Sequence, residues 1–333
     1  MHDKQFLTAL KSIAKQFICR RDKWSIGIYR GDSPFNFIAP EGIKNPVLTA
    51  EDVTDVNAYM VADPFMVWEQ EQWYMFFEVM DDRDRKGVIG LATSRDGSKW
   101  TYQKIVLNEP FHLSYPYVFK WKEDYYMIPE SYQANAIRLY KATNFPAQWS
   151  FAKDLLNGSD YVDSSIFQFN NHWWLFTTST QSDILRLYYT SDLLGDWIEH
   201  PKSPIIQSNA HIARPGGRVI VWGDKIVRYT QDDAPHYGNQ VRAFEITLLT
   251  TAHYQEKEIS GNPILKASGS GWNHTGMHNI DPHQINQNEW IACVDGYRIV
   301  KSFLNSDFEF ELKLILKQQI QKIYRKNLVI TQK

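Results

Sequence analysis

Cysteine is almost missing from this chain: Cys19 and Cys293, at opposite ends of 333 residues, are the only two. That excludes a disulfide framework and any paired-cysteine metal motif, and two free thiols are expected. Long hydrophobic runs are also missing, and none approaches the roughly 18–20 residues of a membrane span. The start does not read as a signal peptide. Its apolar stretch is broken by Lys11 and Lys15, and no small-residue cleavage site follows. The expected location is therefore the cytoplasm. Charge of one sign is scarce too. The formal net charge is −2, so nucleic acid is not an expected partner. There is no phosphate-binding glycine loop and no nucleophile elbow. His274, His278 and His283 lie near Asp281 but match no tight ligand spacing. Neither a metal nor a cofactor is expected.

What the chain has in quantity is aromatic residues, 14% of the total, which suit pleated, half-buried strands and also stack on ligands. They fall into a recurring unit. Val61–Trp68 and Trp73–Glu78 read as a strand, a polar turn and an aromatic strand that ends on a carboxylate. Gly87–Ser94 and Asp96–Trp100 add a third strand and an Asp-Gly turn that leads to a fourth. Later units begin at Ser114, Val162, Ala213 and Gly276. Asp63 to Tyr115 is 52 residues, Tyr115 to Asp163 is 48, and Asp163 to Arg214 is 51. Glu78 to Glu130 is again 52. A period of about 40–50 residues with four short strands per unit predicts a β-propeller. Five units fit, and the early strand Trp24–Tyr29 is placed to complete the last blade.

The expected architecture is all-β: a five-bladed β-propeller over 23–300, with a short N-terminal helix and a C-terminal extension. Phe6, Leu10, Ile13, Phe17 and Ile18 follow helical spacing over 3–20, so 1–22 is expected as an amphipathic helix. Its basic face makes it a candidate for peripheral membrane contact. Residues 301–333, apolar and basic, are expected to pack on the propeller.

In a propeller the first strand of each blade lines the axis, so equivalent positions meet at one mouth. This register places Asp63, Tyr115, Asp163, Arg214 and His278 or Asp281 near the axis. It places Glu78, Glu130, Thr178, Gln231 and Asp295 at the matching ends of the second strands. Carboxylates accept from hydroxyls, and Tyr115, Trp173 and Trp174 are candidates to stack on a sugar ring. Glu78 follows the run Trp73–Phe77, and an apolar rim would raise its pKa, as suits a general acid. Arg214, Arg218 and Arg228 suit an anionic substrate such as a nucleotide sugar.

Ala62–Phe65, Trp73–Glu78, His112–Phe119, Met127–Ser131 and Arg214–Gly217 resemble the propeller domain at the N-terminus of plant glucosamine inositolphosphorylceramide transferases. The resemblance covers about residues 22–300. More remotely, the layout resembles five-bladed glycosidases of the family 43 and invertase types. The glycosidase resemblance implies that Asp63 is base or nucleophile and Asp163 an orienting group. It also implies a general acid Glu in blade four, where this chain has Gln231; Glu130 or Glu78 would have to substitute. In the plant proteins the transferase chemistry is attributed to a separate C-terminal domain. The expected function is glycosidase-like cleavage or transfer in cell-surface glycan metabolism. The alternative is a glycan-binding or scaffold module that works with a partner glycosyltransferase. Expected catalytic residues are Asp63, Asp163, Glu130 and Glu78. Expected substrate-binding residues are Tyr115, Arg214, Gln231, His278, Asp281, Asp295 and Trp173.

Overall fold

The structure is a computed structural model and describes residues 18–303. Lys23–Arg298 form one compact unit, which carries the site described below. Five antiparallel sheets make up the fold. The first comprises Ala58–Glu69, Gln72–Asp81, Lys86–Ser94 and Thr101–Leu107, and the second Ser114–Trp121, Asp124–Glu130, Ala136–Asn144 and Gln148–Asn157. The third is Tyr161–Phe169, His172–Ser179, Arg186–Thr190 and Ile198–Glu199. The fourth is Ile220–Trp222, Lys225–Asp232, Gln240–Leu249 and Tyr254–Glu258, with Leu265–Lys266 added to its third strand. The fifth is Ile280–Asn286 and Glu289–Phe303, completed by the early strands Ile18–Ser33 and Asn36–Ile38. The chain is a five-bladed β-propeller, and its ring closes through the strand that contains Trp24–Tyr29.

Local sequence explains the hairpins. In blade one Glu69 pairs with Gln72 across Gln70 and Glu71, both at positive φ. In blade three Phe169 pairs with His172 across Asn170 and Asn171, again both positive. Two left-handed residues match the twist of the flanking strands, and asparagine tolerates that region well. Strand alternation then sends neighbouring side chains to opposite faces. Phe76 packs toward blade two with Tyr115, Tyr117 and Ile128. Met75 and Phe77 pack toward blade five with Ile26, Ile28 and Ile291. Each blade thus buries both faces against its neighbours, and blades three to five repeat the pattern.

One expectation is corrected. A short N-terminal helix over 1–22 is not supported: Ile18–Asp22 belong to a strand, and the rest of that helix lies outside the described residues. Short apolar runs fit either period, and pairing of this strand with Glu289–Phe303 decides for β. Of the C-terminal extension, residues 301–303 finish that last strand, and the remainder lies outside the described residues. Cys293 is a free, buried thiol, and the side chain of Cys19 is not among those described.

Candidate active site at one end of the propeller axis

The site begins with a backbone device. Asp63, Tyr115 and Asp163 all lie in the left-handed region, with φ of 52°, 44° and 47°. Each sits in a register shift of its inner strand: between Ala62 and Phe65, Ser114 and Tyr117, and Val162 and Ser165. Such a bulge re-aims one side chain out of the strand's alternation. Left-handed backbone in a residue other than glycine costs on the order of 1–3 kcal/mol and is unusual for a bulky tyrosine. Hydrogen bonds hold the bulges in place. The Asp63 N–H donates to Asp295 Oδ2 at 2.9 Å, and the Tyr115 N–H donates to Asp63 Oδ2 at 3.3 Å.

Blades four and five add the counter-charges. Arg214 Nε donates to Asp163 Oδ2, which also accepts from Gln231 Nε2 at 2.6 Å. An Arg214 Nη2 lies 3.8 Å from Glu130 Oε2, a buried oxygen with no hydrogen-bond partner among the described residues. His278 Nδ1–H donates to Asp295 at 2.9 Å, and its Nε2 lies 3.6 Å from Asp63 Oδ1. Asp295 also accepts from the backbone N–H groups of His278 and Asn279. Glu78 Oε1 faces His112 Nε2 at 3.6 Å. His112 Nδ1 accepts from the Gly87 N–H, so Nε2 carries the ring proton. Trp24 covers His278, with its ring stacked at 4.0 Å.

Burial and crowding set the protonation. Burial raises Asp63, Asp163 and Asp295 add to the rise, and His278 opposes it, which leaves Asp63 at about 7. Glu78 is lifted well above the usual range by burial, then by the charges of Asp63 and Glu130. Glu130 is lifted by burial and then by the charge of Asp163, with Arg214 opposing. Burial alone would lower His278, but Asp295 and Asp63 overcome it and bring it to about 9. Burial takes His112 down to about 4. The mouth therefore sets the raised carboxyls of Glu78, Glu130 and Asp63 beside the cations Arg214 and His278. Groups whose pKa values are pushed apart in this way are fitted to give and take protons.

Asp63, His278 and Asp295 place ligand-type atoms within 4.8 Å of one another. His278 Nδ1 is a donor to Asp295 and has no lone pair left for a metal on that side. The three groups form a hydrogen-bonded unit.

The structure brings eight of the sequence candidates to this mouth: Asp63, Glu78, Glu130, Asp163, Arg214, Gln231, His278 and Asp295. Tyr115 starts there, but its hydroxyl runs into the axis. It accepts from the Gly217 N–H at 2.6 Å and meets Ser165 Oγ at 2.9 Å. Asp281 lies further along the inner strand, bound by Arg218, His283 and the Met66 N–H. Trp173 lies elsewhere. It pairs with Gln168, near the far end of its inner strand, and lines a cavity away from the carboxylates. The reason is direction: inner strands start at the carboxylate mouth, and second strands end there. Trp173 is near the beginning of a second strand.

Sequence reasoning missed His112, Asp233, Trp24 and Tyr237. Tyr237 is 45% exposed, sets its ring edge on His278 at 5.3 Å, and lies under the Arg214 guanidinium at 5.1 Å. Its loop is tied down by Gly238, whose N–H donates to Asp233 Oδ1 and which at φ 67° packs against Trp24. These residues sit in loops or in the closing strand, where the repeat register gives no signal.

A five-bladed propeller with a buried acid cluster at one mouth, neutralised by Arg214 and His278, is the class that fold and site define. Residues 19–297 match the family described as glucosamine inositolphosphorylceramide transferase 1, N-terminal, and the chain belongs to that family. It is 36% identical over 299 residues to glucosamine inositolphosphorylceramide transferase 1 of Oryza sativa subsp. japonica, a match that covers 83% of this chain. The chain spans about 40% of that relative's length. Among solved structures it is similar to a β-1,2-mannobiose phosphorylase from Listeria innocua, with TM-score 0.58, 14% identity, and coverage of 81% of this chain and 96% of that one. A glycosyl hydrolase from Bacteroides ovatus gives TM-score 0.55 at 12% identity, over 80% of this chain and 95% of that one. Both likenesses show the fold.

Proposed function

We propose that this propeller acts on carbohydrate, and that it cleaves or transfers a glycosidic bond in cell-surface glycan metabolism. The observation that carries the reading is the buried acid cluster at one mouth, where Asp63 is pushed up to about 7 and Glu130 and Glu78 are raised beside it. Asp63 takes the proton of a water or acceptor hydroxyl, or attacks as nucleophile. Glu130, or Glu78, gives its proton to the leaving glycosidic oxygen. Asp163, fixed by Arg214 and Gln231, orients the substrate. Tyr237 offers a ring at the rim for a sugar face. The relatives' transferase name and the glycosidase-type fold support the substrate class. A nucleotide sugar, whose negative charge suits Arg214, is the preferred donor, and the cytoplasm the preferred location.

A second reading is a glycan-binding module that serves a partner glycosyltransferase. It is favoured by Gln231 standing where blade four would carry an acid, and by the saturation of Asp163. A screen of glycosides and nucleotide sugars with wild type and Asp63→Asn separates the two. Turnover by wild type, with binding kept and turnover abolished in the variant, supports the enzyme. Binding without turnover of any substrate supports the module, and no binding of any sugar sinks both.

A further inference from the structure

The far end of the axis holds a second concave site, built from residues the carboxylate mouth does not use. In every blade the inner-strand residue concerned pairs with the position five before Glu78, Glu130, Thr178, Gln231 or Asp295. These residues are Trp68, Lys120, Gln168, Val221 and Gln284. Four of them, all but Trp68, rim a cavity of about 380 Å³. Tyr117, Trp173, Trp290 and Arg218 also line it.

The lining of this cavity carries the cations Arg218 and Lys120 and, among the described residues, no carboxylate. Asp281, the acid next to it, is already used by Arg218, His283 and the Met66 N–H. The Arg218 guanidinium lies over the Tyr117 ring at 4.8 Å, and both line the cavity. Trp290 is buried, and its indole N–H has no partner among the described residues. Lys120 adds an ammonium at the rim, 3.2 Å from Glu69 Oε2. The Trp290 N–H is sealed from solvent, so Trp290 walls the cavity and reports on it without bonding a ligand.

We propose that this cavity is a binding site, distinct from the carboxylate mouth, for a small organic anion of the sugar-acid or sugar-phosphate class. The carboxylate or phosphate faces Arg218 and Lys120, and the carbon skeleton lies against the aromatic walls. A 380 Å³ volume accommodates one such residue and little more.

The test follows the Trp290 indole N–H resonance of the full chain by NMR, assigned with Trp290→Phe, while glucuronate, glucose 6-phosphate, inorganic phosphate or neutral glucose is added. A saturable shift with glucuronate or glucose 6-phosphate, absent with glucose, is expected. The tighter of the two identifies the head group, and inorganic phosphate alone should bind more weakly than its ester. Lys120→Glu should weaken binding at least about tenfold. Gln284→Trp should fill the cavity and abolish it, and Asp63→Asn should leave it unchanged. Lack of a saturable response to either anion overturns the proposal. So does an equal response to glucose, or a response that Asp63→Asn removes and Lys120→Glu does not. None of these outcomes depends on the glycosidic chemistry of the other mouth.

Discussion

The first three blades and the last two solve opposite problems. Blades one to three each carry a left-handed bulge that aims a side chain at the axis, and two of the three supply acids there, Asp63 and Asp163. Blades four and five bring the cations, Arg214 and His278, and their backbones approach more closely, with Gly217 bridging to Ile280. At the position where blades one and three carry an acid, blade two carries Tyr115. Its hydroxyl crosses to Ser165 and Gly217 and ties the two halves together. The same backbone device thus serves chemistry in two blades and construction in the third. Repeat position alone does not assign a role; the partner across the axis does.

The sharpest way to break this division is at the close approach. A Cβ on Gly217 would sit 1.8 Å from the Ile280 carbonyl oxygen, on a φ of 145°. Gly217→Ala is expected to prevent folding, read as loss of the cooperative urea transition. Next is the neutralising cation. Arg214→Ala strands Asp163 and Glu130 in a buried site, and a loss of about 3–5 kcal/mol is expected in urea unfolding. A loss below about 1 kcal/mol would mean that the acids reach solvent.

The pH dependence comes third. Asp63 and His278 are both raised, to about 7 and about 9, from ordinary values of 3.8 and 6.5. The native state therefore binds more protons than the unfolded chain, and stability falls as pH rises. His278 dominates between 6.5 and 9, where a decline of about 3 kcal/mol is expected. A urea midpoint that stays flat across this window would show that Asp295 does not hold a charged imidazole. Tyr115→Phe is smaller. It leaves the Gly217 N–H without an acceptor, and about 1–3 kcal/mol should be lost. The smallest effect has the opposite sign. Asp63→Asn mimics the protonated acid and should gain about 1 kcal/mol at pH 8, as expected where an active site trades stability for function. A net loss would mark Asp63 as structural.

Much of this was legible in the sequence. The spacings from Asp63 to Tyr115 and Asp163 fall on the three left-handed bulges, and Glu78, Glu130 and Asp295 share one register position on the second strands. The fold was legible because each blade repeats one strand pattern. Depth along the axis was not: Trp173 shares its repeat unit with Asp163 but belongs to the opposite cavity. Tyr237 and His112 were invisible because loops carry no register. At Ile18–Asp22 the apolar pattern fits helix and strand alike, and only the partner strand decides.

Ring closure has a consequence for the order in which the site comes into being. The ribosome delivers Asp63, Glu78, Glu130 and Asp163 well before Arg214, and His278 with Asp295 later still. Trp24 is made before all of them, yet it has no imidazole to cover until the fifth blade appears. A nascent chain therefore carries its acids solvated and uncompensated until the fifth blade has been made. The cluster acquires its perturbed protonation in one late step, when the last blade docks. A chain stalled short of that blade would carry the carboxylates without the acid–base pairing.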